Sequence, residues 1–157
     1  MATNASDYTI DKTDIQILSI LMKDATTPYS EIAKKLIVSP GTIHVRMKRL
    51  EEIGIVSSSQ LIVNEKKMGR AIISFMGIHL NNGSLVQQAV TKLKKIPEVI
   101  ELHYTTGKYS LFAKLACKDA DHLRKVLIEN IQPIEGVERT ETFISLEESI
   151  KRQIKID

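Results

Sequence analysis

The hydrophobic period changes once along this 157-residue chain, near Arg70, and that change limits what it can fold into. Before it, apolar side chains recur at helical spacing: Ile15, Leu18 and Leu21–Met22, then Ile32, Ala33 and Leu36, then Ile43, Met47, Leu50 and Ile53. After it, the pattern predicts a strand over Ala71–Leu80, a helix over Ser84–Ile96, strands over Val99–Thr106 and Tyr109–Cys117, a helix over Asp119–Ile131 and a strand over Val137–Leu146. Strand, helix, strand, strand, helix, strand is the split βαβ, ferredoxin-like order. The chain therefore reads as an α+β protein of two small domains, residues 1–63 and 71–157, joined by the polar stretch Asn64–Arg70.

The helix boundaries have local causes. Asp11 suits the N-cap of the first helix, and Asp14 takes the capping-box position three residues later. Ser39 suits the N-cap of the third, because its hydroxyl accepts an orphan backbone N–H. Pro40 suits the first helical position, where a missing N–H is harmless, and Gly54 stands where a left-handed closing residue is wanted. Ile55–Val63 is rich in β-formers and predicts one or two short strands.

A short link, Ile37–Ser39, joins the second and third helices, which makes them a helix-turn-helix candidate. With Ile43, Met47 and Leu50 buried, Gly41, Thr42, Val45, Lys48 and Arg49 fall on the outer face, flanked by His44 and Arg46. Small residues at the helix start permit close entry into a major groove, and cations further on reach phosphates or guanine edges. From Ile32 to Leu50 there is no acidic residue, while Lys34, Lys35, Arg46, Lys48 and Arg49 supply a local positive field on a chain of net charge +3. Periodicity alone leaves a groove reader and an ordinary decorated surface helix equally open.

In the second domain, Tyr104-Thr105-Thr106-Gly107-Lys108-Tyr109-Ser110 links two strands. Glycine there permits close backbone approach to a ligand, but a hairpin needs glycine whether or not anything binds. Gln132, Thr140 and Thr142 lie where a neighbouring strand or subunit would complete a pocket, whereas Glu141 reads as an exposed sheet edge.

Catalytic chemistry finds no foothold. The four histidines are dispersed, the single Cys117 ends an apolar strand, and neither a nucleophile elbow, a phosphate loop nor a dinucleotide fingerprint is present. The expectation is a non-enzyme without metal or cofactor. One cysteine, no long apolar run and no signal-like N-terminus lead us to expect a cytoplasmic protein.

Three separated motifs then resemble one family. SPGTIHVRMKRLEEIGIV is similar to the DNA-reading segment of the Lrp/AsnC regulators, IDKTDIQILSIL to their first helix, and YTTGKYSLFAKLAC to the glycine-containing turn of their effector domain. Within the family, VSPGTIHVR and YTTGKYS most resemble the asparagine-sensing branch. The resemblance implies a winged helix-turn-helix domain that reads double-stranded DNA, at a pseudo-palindromic operator, through Ser39, Gly41, Thr42, His44, Val45, Arg46, Lys48 and Arg49. It also implies a domain binding a free amino acid, asparagine or another small one, through Tyr104, Thr105, Thr106, Gly107, Tyr109, Ser110, Gln132, Thr140 and Thr142. Family members dimerise through the sheet, and the dimers assemble further, often as rings of four, so the expectation is a homodimer forming an octamer with the effector at an interface. Many carry an acid where this chain has Ser110. A regulator of amino-acid metabolism is the leading function. An effector-independent architectural DNA-wrapping protein is the alternative, and an amino-acid enzyme is disfavoured by the empty chemistry.

Overall fold

The computed structural model describes residues 8–156. The chain divides into two compact units, Met1–Leu61 with Ile150–Asp157, and Ile62–Ser149. The polar stretch 64–70 groups with the second unit, and the last residues group with the first.

The first unit holds three helices, α1 (Lys12–Leu21), α2 (Tyr29–Leu36) and α3 (Pro40–Glu52). Asp11 caps α1 in a complete capping box: its side chain accepts from the Asp14 N–H at 2.9 Å, and the Asp14 carboxylate accepts from the Asp11 N–H at 3.1 Å. α2 closes on Ile37 in the left-handed region, φ 55° and ψ 48°. α3 opens on Ser39, whose Oγ accepts from the Thr42 N–H at 3.0 Å, with Pro40 at the first helical position. It closes at Gly54, φ +77°, beyond which the N–H groups of Ile55 and Val56 both donate back to the Leu50 carbonyl. Ile17, Ile32, Ala33, Ile43, Met47 and Leu50 form one buried core. The one or two short strands expected over Ile55–Val63 are not formed. This segment makes no ladder pairing among the described residues and is mostly exposed, because β-propensity makes a strand only where a partner strand accepts its ladder hydrogen bonds.

The second unit is a four-stranded antiparallel sheet of β1 (Ile72–Leu80), β2 (Val99–Tyr104), β3 (Leu111–Cys117) and β4 (Val137–Ile144), in the order β2-β3-β1-β4. α4 (Val86–Leu93) follows a 3₁₀ turn at Gly83–Leu85. The helix expected over Asp119–Ile131 is composite: α5 (Ala120–Lys125) widens into a π-helical stretch, Val126–Ile131, marked by the Gln132 N–H donating to the Leu127 carbonyl at 2.9 Å. The helices and one face of the sheet enclose Met76, Ile78, Leu93, Leu111, Ala113, Leu115 and Ile131, all fully buried. The alternate residues of β1 and β3 stand on the other face, where Phe75 and Phe112 stack with centroids 6.2 Å apart. No helix among the described residues is long and apolar enough to cross a membrane.

Candidate DNA-reading helix and effector turn

α3 presents an outward face that its own fold barely uses. Gly41 is exposed, and a Cβ there would meet only Ser39 Oγ, at an ordinary 3.7 Å, so packing within the chain does not require glycine. Val45 is 69% exposed on the same face. Lys48 is exposed and lies 3.9 Å from Glu52 one turn on. Ser39 and Thr42 join the cap, their hydroxyls 2.9 Å apart. His44 packs edge-on against Tyr29, with centroids 4.7 Å apart. Of the lysines on α2, both exposed, Lys35 pairs with Glu31 at 2.8 Å.

The two arginines differ sharply. Arg49 is exposed, with its guanidinium 4.3 Å from the ring centroid of Tyr8. Arg46 is turned inward: its Nη1 donates to Asp11 Oδ2 at 2.7 Å and to Asp14 Oδ1 at 2.8 Å. Asp14 is fully buried and also accepts from the Tyr8 hydroxyl. Hydrogen bonding to Asp14 and then Asp11 holds the Arg46 guanidinium above its ordinary pKa, and the Asp11 carboxyl is lowered, first by the Asp14 N–H and then by Arg46. The sequence expectation places Arg46 among the reading side chains; here its guanidinium is engaged by Asp11 and Asp14. A 3.6-residue period places it beside the outer face but does not reveal that a buried carboxylate on α1 captures it.

In the second unit the turn after β2 is internally braced. The Thr105 hydroxyl donates to the Tyr109 carbonyl at 2.7 Å, and the Thr105 N–H to the Ser110 carbonyl at 3.2 Å. Ser110 ties the turn to β1: its N–H donates to the Ile78 carbonyl at 3.0 Å, and its Oγ accepts from the Leu80 N–H at 3.3 Å. Gly107 has φ +101° with open space around its Cβ position, and Thr106 and Tyr104 are exposed.

Tyr109 lies across Gly77 so closely that a Cβ on Gly77 would stand 2.4 Å from the ring. Its hydroxyl donates to Glu141 Oε2 at 2.9 Å. Lys108 Nζ and Arg139 Nη2 approach the same carboxylate at 2.9 and 3.0 Å. The Lys108 ammonium, then the Tyr109 hydroxyl, pull the Glu141 carboxyl down to about 2, and Lys108 is raised in return. Glu141 is thus the hub of a charged cluster rather than a bare edge residue. Finding it from sequence requires the strand pairing that sets Glu141 opposite Gly77.

That register also separates residues expected to act together. Thr140 pairs with Ile78 and Thr142 with Met76, on the helix-covered face, while Tyr109 and Glu141 share the open face. A single pocket uniting both threonines with the Tyr109 side chain in one chain is not what the fold builds. Gln132 is exposed, just beyond the π-helical stretch. Among the described residues no group of three His, Cys, Asp or Glu side chains converges as metal ligands. Cys117 is buried, which pushes its thiol pKa up.

Two family models match the chain. Residues 10–57 match a family model described as winged helix-turn-helix DNA-binding, and residues 73–154 match the Lrp/AsnC ligand binding domain. The chain is 43% identical to the regulatory protein AsnC of Escherichia coli K12 over 149 residues, 95% of this chain and 98% of that protein. This chain belongs to the Lrp/AsnC family. The solved structure of E. coli AsnC superimposes with a TM-score of 0.89 at 42% identity, covering 94% of this chain and 99% of that one. A Haemophilus influenzae AsnC is 42% identical over 94% of this chain and 99% of its own length. A Neisseria meningitidis regulator solved as an L-Met complex shares the fold, with a TM-score of 0.86 at 21% identity, covering 92% of this chain and 94% of that one. Like these Lrp/AsnC relatives, the protein is a transcription regulator with a DNA-binding and a ligand-binding domain, and not an enzyme.

Proposed function

We propose that this regulator controls genes of amino-acid metabolism by reading a pseudo-palindromic operator with α3 and by sensing a free amino acid, asparagine first among candidates, at an interface between subunits. The outward face of α3 carries the reading: Gly41, Val45, Lys48 and Arg49 are exposed, and the core needs none of them. Ser39, Thr42 and His44 border that face. Arg46 supports it from behind. A two-fold dimer presents two such helices, so half-site centres fall about 10 base pairs apart or near a multiple of that.

The sensing role rests on the turn Tyr104–Ser110. Positive φ at Gly107 and the exposed Thr106 leave main-chain groups open to a ligand's carboxylate and amine. Serine at position 110 keeps that contact neutral, which favours an effector with a polar, uncharged side chain. The L-Met complex of the Neisseria relative supports an amino acid as the ligand class. Gln132, Thr140 and Thr142 are assigned to the subunit-facing side of the pocket. The open face bearing Phe75, Phe112 and the half-exposed Phe143 is the surface a second copy buries, and four such dimers make the octamer.

Titration calorimetry with each of the twenty L-amino acids, followed by gel shifts with and without any that bind, tests this reading. One dominant ligand that changes DNA affinity is the expected outcome. Heat from none of them, with DNA binding intact, would instead leave an effector-independent DNA-wrapping protein.

A further inference from the structure

Three aromatic and charged side chains outside α3 converge on its two arginines, and they divide the arginines' work. Tyr8 stands just ahead of α1. Its hydroxyl is anchored on the buried Asp14 carboxylate, which also holds Arg46 of α3, and its ring lies 4.3 Å from the Arg49 guanidinium. Burial, and then the hydrogen bond to Asp14, raises the Tyr8 hydroxyl above its ordinary pKa, so Tyr8 remains a neutral donor there. A long, exposed arginine ordinarily samples many rotamers, and ordering it on binding DNA has an entropic cost. Stacked on an aromatic face whose other end is fixed, the guanidinium loses part of that freedom in advance.

We propose that Tyr8 is a positioning residue for DNA recognition: anchored through its hydroxyl, it presents Arg49 to the groove with its ring. This rests on α3 being the reading helix, and it adds a determinant of DNA affinity that lies outside the helix-turn-helix itself. Two features separate the ring from a mere structural plug. The hydroxyl contact serves the Asp11–Asp14–Arg46 brace, whereas the ring, which also packs against the core of the first unit, makes the contact to Arg49, so the Arg49-dependent part is isolated by the double-mutant cycle.

The test is a double-mutant cycle on the full chain, read as affinity for a duplex selected from random sequence by the wild-type protein. Tyr8→Leu removes ring and hydroxyl. Tyr8→Phe and Tyr8→Trp keep an aromatic face without the same hydroxyl contact. Tyr8→Leu is expected to weaken specific binding about three- to five-fold, as the loss of one cation–π contact predicts. Tyr8→Phe and Tyr8→Trp should restore most of that loss. In an Arg49→Ala background, Tyr8→Leu should then change affinity by less than about two-fold, because its partner is already gone. Equal losses from Tyr8→Leu in both backgrounds overturn the proposal, since Tyr8 would then act through the α1 brace alone. Failure of both aromatic variants to restore binding overturns it as well, because the hydroxyl would be the working part. Wild-type affinity in Arg49→Ala would overturn it together with the assignment of α3 to the groove, and wild-type affinity in Tyr8→Leu alone would overturn only the role of Tyr8. Should Tyr8→Leu melt below the assay temperature, Arg49→Lys gives the same reading from the other side. It keeps the charge but loses the planar stack, and it is expected to weaken specific binding by the same roughly three- to five-fold, so that wild-type affinity in Arg49→Lys would overturn the proposal.

Discussion

The Arg46 guanidinium sits 2.8 Å from a carboxylate oxygen of Asp14, a residue with no exposed surface, and this pair fastens the reading helix to the start of α1. Removing one member of such a pair leaves an uncompensated buried charge. Arg46→Ala is expected to lower unfolding free energy by about 3 kcal/mol. Asp11→Ala, which removes a half-exposed partner and a helix cap, should cost clearly less. Urea titrations of both variants measure this. The slope of log affinity against log salt should stay at its wild-type value in any Arg46→Ala protein that remains folded, since the guanidinium is already neutralised within the chain. A slope smaller by about one would place Arg46 on a phosphate after all.

Ile37 offers a gain instead of a loss. It holds φ 55°, where a β-branched side chain is disfavoured, and its side chain is 93% exposed, so no packing compensates for the strain. Ile37→Gly is expected to stabilise the first unit by about 1 kcal/mol, with a correspondingly higher melting temperature. An unchanged or lower melting temperature would show that the chain reaches this turn without strain.

Much of this architecture is legible in the sequence because its causes are local. The Asp11/Asp14 box, the Ser39-Pro40 helix start, the Gly54 closure and all four strands of the second unit follow from caps, turn residues and periodicity. What stays hidden depends on contacts between distant residues. Arg46 meets Asp11 across 35 positions, and Glu141 meets Tyr109 across 32. The failed strands at Ile55–Val63 show the converse: the residues favour a strand, but no strand among the described residues pairs with them. The π-helical stretch at Val126–Ile131 has no sequence signal that we can name.

Glu141 predicts a specific acid limb. Its folded pKa lies at about 2, below the ordinary 4.5, so its contribution is fully present above about pH 4.5 and is lost as pH falls toward 2. Glu141→Gln should therefore be less stable than wild type at neutral pH, with the difference shrinking steadily below pH 4.5. Melting curves at half-unit pH steps from 6 to about 2.5 resolve the window. A constant difference across it would mean that Glu141 acts by shape and hydrogen bonding, not by its charge.

Gly77 and Gly107 should both lose stability to the same added methyl group, but for different physical reasons. At Gly77 a Cβ falls 2.4 Å from the Tyr109 ring, so Gly77→Ala must displace that ring and break its hydrogen bond to Glu141. The expected penalty is about 1–3 kcal/mol from overpacking. At Gly107 nothing lies within 4 Å, so Gly107→Ala meets only the backbone strain of φ +101°, about 1 kcal/mol. Gly107→Asp adds a negative charge beside the proposed effector carboxylate and should abolish amino-acid binding while the protein stays folded. Ser110→Asp restores an acid at a position tied to the Leu80 N–H and should alter which amino acid is preferred instead of removing binding. DNA affinity without effector should survive in both Gly107→Asp and Ser110→Asp, because α3 belongs to the other unit. Reciprocal linkage requires that a variant which no longer binds the amino acid also loses its effect on DNA. Calorimetry and gel shifts on the same preparations check both halves. Wild-type amino-acid binding by Gly107→Asp would reduce this turn to a hairpin and move the sensor elsewhere in the second unit.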